Sequence, residues 1–175
     1  MTSADKLYFY KKSADKPAGS GVHDEVADPS AYAELNKIPN WRKRIDEFYV
    51  APFLYDNLHY NSVSHMSYAK HVALYDPEKA KEFALESGSD LSKLDYHVYE
   101  SRPTKKQQAW DAIKDDVMYE GNIAKFEQHP DLKEILLLTN DAELWYTPDR
   151  GSPAERREVL EEVREHFGYG SEVSQ

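Results

Sequence analysis

Apolar residues in the second half of the chain recur at the spacing of amphipathic helices. A long helix is predicted to begin at Thr104, which has Gln107 at capping-box spacing, and to end at His129-Pro130. The apolar residues along one face of this helix are Trp110, Ile113, Val117 and Ala124. We therefore expect this face to pack against the protein core.

Two shorter helices are predicted after the break. The first runs from Pro130 to Thr139-Asn140, and the second opens at a further capping box, Ser152 to Glu155. The inward positions of the last helix are Val159, Leu160, Val163 and Phe167. Across all three helices, the residues that we expect to be buried together are Trp110, Ile113, Val117, Leu136 and Val163.

The first half of the chain contains short strand patterns. Leu7–Tyr10 and Phe48–Phe53 are rich in aromatic and β-branched residues, and both predict strands. Asp56-Asn57 predicts a turn before Leu58–Tyr60. A further strand is predicted at Leu144–Tyr146.

Cap signals place two more helices between these strands. Ser62 is a suitable cap for a helix that runs to about Tyr75, and Asp76-Pro77 begins a second helix that ends at Gly88. Residues 18–45 form a polar, irregular insertion with a short helix near Ser30–Asn36, and the tail over 168–175 is expected to be loose. The prediction is a single domain over 1–175 of the α+β class, mostly helical, with a few short strands.

Composition narrows the functional classes. The chain has 175 residues, of which 40% are apolar and 31% are charged, as in an ordinary globular domain. The absence of cysteine excludes disulfides and thiolate zinc sites. No apolar run reaches the roughly 20 residues of a membrane helix, and MTSADKLYFY does not resemble a signal peptide. We therefore expect a cytoplasmic protein that does not bind membranes.

The charge balance argues against one class of partner. The chain has 22 basic and 32 acidic residues and a formal net charge of −10. Such a chain is repelled by a phosphate backbone, so general nucleic-acid binding is not expected. A local basic pocket for a small anionic ligand is compatible with the same balance.

The stretch YNSVSHMSYAKH, residues 60–71, concentrates side chains that catalysis often uses. Two metal ligands on one helical face must lie three or four residues apart. Around His65 those positions hold Asn61, Ser62, Tyr68 and Ala69. Around His71 they hold Ser67, Tyr68, Leu74 and Tyr75. None of these is a carboxylate or a second imidazole, so we expect no metal and no metal cofactor.

A nucleophile–base pair of Ser64 and His65 is weakly supported. Adjacent residues on a helix point about 100° apart and do not face each other. The structural alternative is that His65, Ala69 and Val72 form a buried stripe, with the imidazole bonded to a backbone carbonyl.

Two longer stretches resemble the NADAR superfamily, whose fold is called YbiA-like. In FYVAPFLYDNLHYNSVSHMSYAKHV, residues 48–72, the family's Phe-Tyr, Pro-Phe, turn, aromatic and Ser-Val-Glu-His elements fall in register. In WDAIKDDVMYEGNIAKFEQHPDLKEILLLTNDAEL, residues 110–144, the family's Trp-Asp, Val-Met, Lys-Phe-x-Gln, Leu-Leu-x-Thr and Ala-x-Leu elements follow in order. The resemblance covers most of residues 7–167.

The resemblance implies an N-glycosidic bond hydrolase that acts on a nucleotide-derived or ADP-ribosyl substrate without a cofactor. Its ligand would be a small nucleotide-like molecule. Carried over residue by residue, His65 is a catalytic candidate and Asp149 lies near the family's late acidic position. Trp110 becomes a candidate stacking platform, and Arg102 or Lys125 a candidate phosphate ligand. For each of the last four residues, a plain surface or core role is the alternative.

One departure from the family pattern bears directly on activity. Ser64 stands where the family has glutamate before the histidine, and a serine cannot supply a carboxylate's charge or basicity. Two hypotheses follow. In the first, Glu47 or Asp46 takes over the role of the missing carboxylate, and Ser64 contacts the substrate. In the second, the chain is a non-catalytic descendant that binds a nucleotide-like ligand or serves as a structural or interaction protein, with partners contacting residues 22–44.

Overall fold

The structure is a computed structural model that describes residues 4–94, 105–147 and 153–168. Its five strands within this part of the chain are β1 (Lys6–Phe9), β2 (Phe53–Tyr55), β3 (Leu58–Tyr60), β4 (Glu143–Tyr146) and β5 (Glu155–Arg156). The α-helices within the same residues are α1 (Ala33–Asn36), α2 (Trp41–Arg44), α3 (Val63–Ala73), α4 (Pro77–Ala80), α5 (Lys105–Gln128), α6 (Pro130–Leu138) and α7 (Glu158–His166). This content confirms the predicted α+β class, with helices dominant over a few short strands.

Backbone contacts group the chain into two compact units. The first unit comprises Met1–Tyr49 and His129–Gln175, and the second comprises Val50–Gln128. The boundaries fall next to two predicted features, the Phe48-Tyr49 pair and the break at His129-Pro130. The prediction of one domain over 1–175 stays a prediction.

A small mixed sheet organises the first unit. β1 pairs with β4 in parallel, with Lys6 opposite Glu143 and Phe9 opposite Tyr146, and β4 pairs with β5 in antiparallel fashion. Leu7 and Leu144 are fully buried on the inner face of this sheet. The buried side chains of α6 and α7 in the same unit are Leu132, Ile135, Leu136, Leu160 and Val163. α7 packs against β4 and α6 packs against α1 and α2. Of the predicted inward residues of the last helix, Leu160 and Val163 are buried, whereas Val159 and Phe167 are half-buried.

The insertion over residues 18–45 is ordered by one buried ion pair. Arg42 Nη2 lies 2.6 Å from Asp24 Oδ2, and both side chains are almost fully buried. Arg42 also donates to the carbonyl oxygens of Tyr8, Lys16 and Pro17. All five N–H groups of the Arg42 side chain therefore donate a hydrogen bond, either to Asp24 or to one of these carbonyl oxygens. The insertion contains a 3₁₀ turn followed by α1 and α2, so it is more regular than predicted.

A hairpin and a helix pair form the second unit. Asp56 and Asn57 both have positive φ, 52° and 68°, which is the geometry of a two-residue turn whose twist matches a hairpin. This turn joins β2 to β3 and places Phe53 opposite Tyr60. The predicted turn at Asp56-Asn57 is confirmed.

α3 and α5 pack closely because of a glycine. A Cβ atom on Gly121 would lie 3.1 Å from Val63 Cγ1 and 3.3 Å from Met66 Sδ. These distances are tighter than normal van der Waals contact, so a side chain here would force the two helices apart. Gly121 therefore sets the separation of α3 from α5.

Three sequence predictions need correction. The strand predicted over 48–53 is wrong for most of its length, because Asp46 accepts hydrogen bonds from the N–H groups of Phe48 and Tyr49 and closes a turn instead. α7 begins at Glu158 and not at Ser152, since residues 155–156 pair with β4. The helix from Pro77 ends at Ala80 and continues as 3₁₀ turns to the predicted end at Gly88.

The buried stripe predicted for α5 is only partly right. Val117 and Ala124 are buried, but Trp110 is half-buried and Ile113 is 38% exposed. Full burial along the described side chains of α5 begins at Val117, because the earlier turns carry mostly charged and exposed residues. A sequence stripe marks a helical face but does not show how far along that face the packing extends.

Candidate functional site

The start of α3 holds a serine–histidine pair. Ser62 has extended backbone angles and caps the helix, and its Oγ accepts the N–H of His65 at 3.3 Å. The same Oγ lies 2.8 Å from His65 Nδ1. Both bonds arise because residues three apart lie on the same side of the first helical turn. Ser62 is fully buried, so it orients the imidazole and is not itself accessible to a substrate.

The pair relates the tautomer of His65 to the direction of one hydrogen bond. Ser62 Oγ accepts a backbone N–H, and the direction of its bond with Nδ1 depends on the tautomer of the ring. When the hydroxyl donates to Nδ1, the proton of the neutral imidazole is on Nε2. Burial lowers the pKa of His65, because desolvation disfavours the charged form. The neutral ring can therefore donate from Nε2 near pH 7.

A titration checks this assignment. We expect His65 to titrate below the ordinary histidine pKa of about 6.5, as measured by two-dimensional NMR of the ring protons. Because the folded-state pKa is the lower one, its contribution to stability is present above about pH 6.5 and is lost as the pH falls through the folded pKa. A His65 midpoint above about 6.5 would contradict the assignment.

The structure corrects the predicted surroundings of His65. Ala69 and Val72 are buried as expected, but the partner of the imidazole is the Ser62 hydroxyl and not a backbone carbonyl. Ser64, at the position where the resemblance predicts the family's glutamate, is 5% exposed. The sequence analysis did not predict that Ser62 contacts the His65 imidazole. Its position three residues before His65, at a predicted helix cap, indicates that such a contact is within reach.

Trp110 has a histidine ring against one face. The rings of His71 and Trp110 are parallel within 4°, and their centroids lie 4.6 Å apart. The two rings are therefore stacked. Trp110 is half-buried, so the predicted stacking platform is already occupied on one side.

Two polar residues of α5, Asn122 and Lys125, are fully buried. Lys125 is completely buried, and its Nζ lies 4.9 Å from the centroid of the Phe126 ring. Asn122, one turn earlier, is also completely buried and donates from Nδ2 to the carbonyl of Met118 at 2.9 Å. Burial of a cation is costly without compensating contacts. The role of Lys125 as a phosphate ligand stays a prediction.

The candidate carboxylates of the first unit are both buried. Glu47 is 6% exposed, and its Oε1 lies 3.3 Å from Arg157 Nε. Asp46 is fully buried and accepts the N–H of Phe48 at 2.7 Å. The two remaining site predictions, Arg102 and Asp149, lie outside the described residues.

The described residues contain neither a candidate metal cluster nor a helix that could span a membrane. Over 4–94, 105–147 and 153–168, no group of three or more histidine or carboxylate side chains is arranged to hold a metal ion. No helix in this part of the chain is long and apolar enough to cross a membrane.

Comparison with known proteins identifies the class. The model of the NADAR domain family matches residues 8–150, and the chain belongs to this family. The NMR structure of the E. coli protein YbiA is similar, with a TM-score of 0.60 at 19% identity over 98% of this chain and 89% of that one. This likeness confirms the YbiA-like fold predicted from the sequence. A search of curated proteins found no match.

Proposed function

We propose that the chain is an N-glycosidic bond hydrolase that acts on a nucleotide-derived or ADP-ribosyl substrate. Membership of the NADAR family supports this class of reaction. The observation that carries the proposal is the bond between the buried Ser62 and the half-buried His65 at the start of α3, in the stretch that resembles the family's Ser-Val-Glu-His motif. The pair holds a neutral imidazole in a defined orientation, from which it can donate a hydrogen bond to a departing base.

The proposed reaction breaks the bond between the sugar C1′ and the base nitrogen. The bonding electrons leave with the base, and a water oxygen bonds to C1′ through an oxocarbenium-like transition state. The proton that the water loses goes to a carboxylate, which we assign to Glu47, with Asp46 as the alternative. His65 donates a hydrogen bond from Nε2 to the departing base and keeps its proton, the base takes its proton from solvent, and Ser62 keeps the ring in place.

The remaining assignments concern substrate binding. Trp110 would stack on the leaving base with the face that His71 does not cover. Lys125 or Arg102 would bind a phosphate, Ser64 would contact the substrate, and Asp149 would act as a second catalytic acid. No cofactor is needed for this chemistry, and a cytoplasmic location stays a prediction.

The direct test is incubation of the purified protein with two substrate types, an ADP-ribosylated guanine nucleoside and a phosphoribosyl-amine. We expect release of the free base or amine, quantified by liquid chromatography and mass spectrometry. His65→Gln removes the imidazole that Ser62 orients, and it should lower the rate. A folded wild-type protein that is inert on both substrates would overturn the proposal.

One observation favours a non-catalytic alternative. Ser64 is a buried neutral residue where the family has a carboxylate, so the ancestral acid–base group is absent. If the chain is a binding protein, the wild type is inert, and Ser64→Glu is expected to create measurable hydrolysis. The helix N-terminus would stabilise the added charge. Ser64→Gln, which adds the same volume without charge, is the matched control and should stay inert.

A further inference from the structure

The side chain of Glu47 is paired with an arginine from a distant part of the chain. Glu47 follows α2 and is 6% exposed, and its Oε1 lies 3.3 Å from Nε of Arg157, which directly follows β5. Desolvation favours the neutral form of a buried carboxyl group, whereas a cation beside it favours the charged form. The charge of Arg157 therefore affects whether Glu47 can accept a proton.

Arg157 is held in place by β4. Its backbone N–H donates to the carbonyl oxygen of Leu144 at 2.7 Å, and its guanidinium carbon lies 4.9 Å from the centre of the Tyr146 ring. A guanidinium on an aromatic face gains a cation–π contact and loses rotamer freedom before it pairs with a carboxylate. Arg157 thus presents its charge to Glu47 from a fixed support.

The other charged groups around this ion pair are acidic. Glu155, which pairs with Tyr146 in the sheet, has its Oε2 3.7 Å from Nη1 of Arg157, but its side chain is 60% exposed and the contact is screened by solvent. Asp46 precedes Glu47 in the chain and is fully buried. A second buried carboxylate makes ionisation of Glu47 more costly, and Arg157 supplies a positive charge that opposes this effect.

We propose that Arg157 is a positioning residue for Glu47 in N-glycoside hydrolysis, because it fixes the carboxylate and keeps it ionised near neutral pH. The proposal rests on the proposed function, in which Glu47 takes the proton that the attacking water loses. Only the ionised carboxylate can take that proton. Arg157 contacts no reacting atom in this scheme, and it changes the rate through the charge state of Glu47.

The pH dependence of kcat/KM tests this role. Arg157→Gln keeps a planar polar side chain but removes the charge, so the acidic limb of the profile should move to higher pH by about one unit, a tenfold change in proton affinity. The rate should fall at neutral pH and recover at alkaline pH. Arg157→Lys retains a charge and should keep the acidic limb near its wild-type position. A loss by the same factor at every pH would show a packing role and overturn the proposal.

The neighbouring Arg156 provides the matched control. Its ion pairs within the described residues are with Glu143 and Glu161, and its side chain is 40% exposed, against 31% for Arg157. Arg156→Gln removes the same charge from the protein and should leave the acidic limb in place. An equal displacement in the two glutamine variants would show a general effect of net charge and would also overturn the proposal.

Carbon-13 NMR of the glutamate carboxyl groups makes the test independent of turnover. The Glu47 signal is assigned by its loss in Glu47→Gln, and its titration midpoint should rise by about one pH unit in Arg157→Gln but not in Arg156→Gln. Arg157→Met, which keeps an apolar contact with the Tyr146 ring, is a second charge-free variant and should behave like Arg157→Gln. An unchanged midpoint in either folded variant would overturn the role of Arg157. An inert wild type would overturn the hydrolase proposal instead, and the titration would still decide whether Arg157 sets the charge of Glu47.

Discussion

Replacing Glu47 with glutamine is expected to reduce N-glycoside hydrolysis by roughly 100- to 10,000-fold, the usual contribution of general acid–base catalysis. The amide has nearly the same shape as the carboxylate but cannot accept a proton from water near neutral pH. Ser64→Ala should change the rate little, because a neutral hydroxyl supplies neither charge nor basicity. The measurement is kcat/KM on the substrate that the wild type hydrolyses.

A matched control separates catalysis from packing. Glu47 and Glu155 both contact Arg157, at 3.3 Å and 3.7 Å, but Glu155 is mostly exposed. Glu155→Gln should therefore leave the rate unchanged, while Glu47→Gln should lower it. If Glu47→Gln keeps full activity and Asp46→Asn loses it, the assignment moves to Asp46. Retention of activity by both variants would remove both carboxylates from the mechanism.

Replacing Asp24 with alanine is expected to destabilise the first unit by about 3–5 kcal/mol, the cost of leaving a buried charge without its partner. Asp24 accepts hydrogen bonds from the backbone N–H groups of Tyr8, Gly19 and Gly21 as well as from Arg42. All of these donors lose their acceptor in the variant. Total stabilities of natural domains are about 5–15 kcal/mol, so this loss is large.

Urea unfolding followed by tryptophan fluorescence measures the effect, because the Arg42 guanidinium lies 4.4 Å from the centre of the buried Trp41 ring. The control is Glu34→Ala, which removes an exposed ion pair with Lys37 at 2.8 Å. Such pairs contribute about 0.3–0.5 kcal/mol on a helix. A loss below about 1 kcal/mol in Asp24→Ala would show that the Asp24–Arg42 pair does not organise the insertion.

Local signals predicted much of the secondary structure. Ser62, Asp76-Pro77 and His129-Pro130 mark helix boundaries in the structure because capping and proline geometry depend on a few adjacent residues. Asp56-Asn57 predicted the hairpin turn for the same reason. Predictions failed where a distant partner decides the conformation. Residues 155–156, which have a helical cap signal, pair with β4 as a strand.

For the candidate site, too, local features could be predicted from the sequence and features that depend on distant partners could not. The family motif and the spacing of His65 from its neighbours can be read from the sequence, and both led to the start of α3. Burial cannot be read in this way. Lys125 is completely buried, and Ile113 is exposed on a face that has the apolar spacing of a core. Both outcomes depend on which elements pack against α5, and no local pattern carries that information.

By itself, the amino-acid sequence determined the fold class and the family, because these depend on residue identity and local spacing. Only the tertiary structure decided that Ser62 holds His65 and that the insertion is ordered around Asp24 and Arg42. Asp24 and Arg42 are 18 residues apart in the chain. Their pairing is selected by the free energy of removing two charges from water together, and that free energy exists only once the surrounding chain has folded.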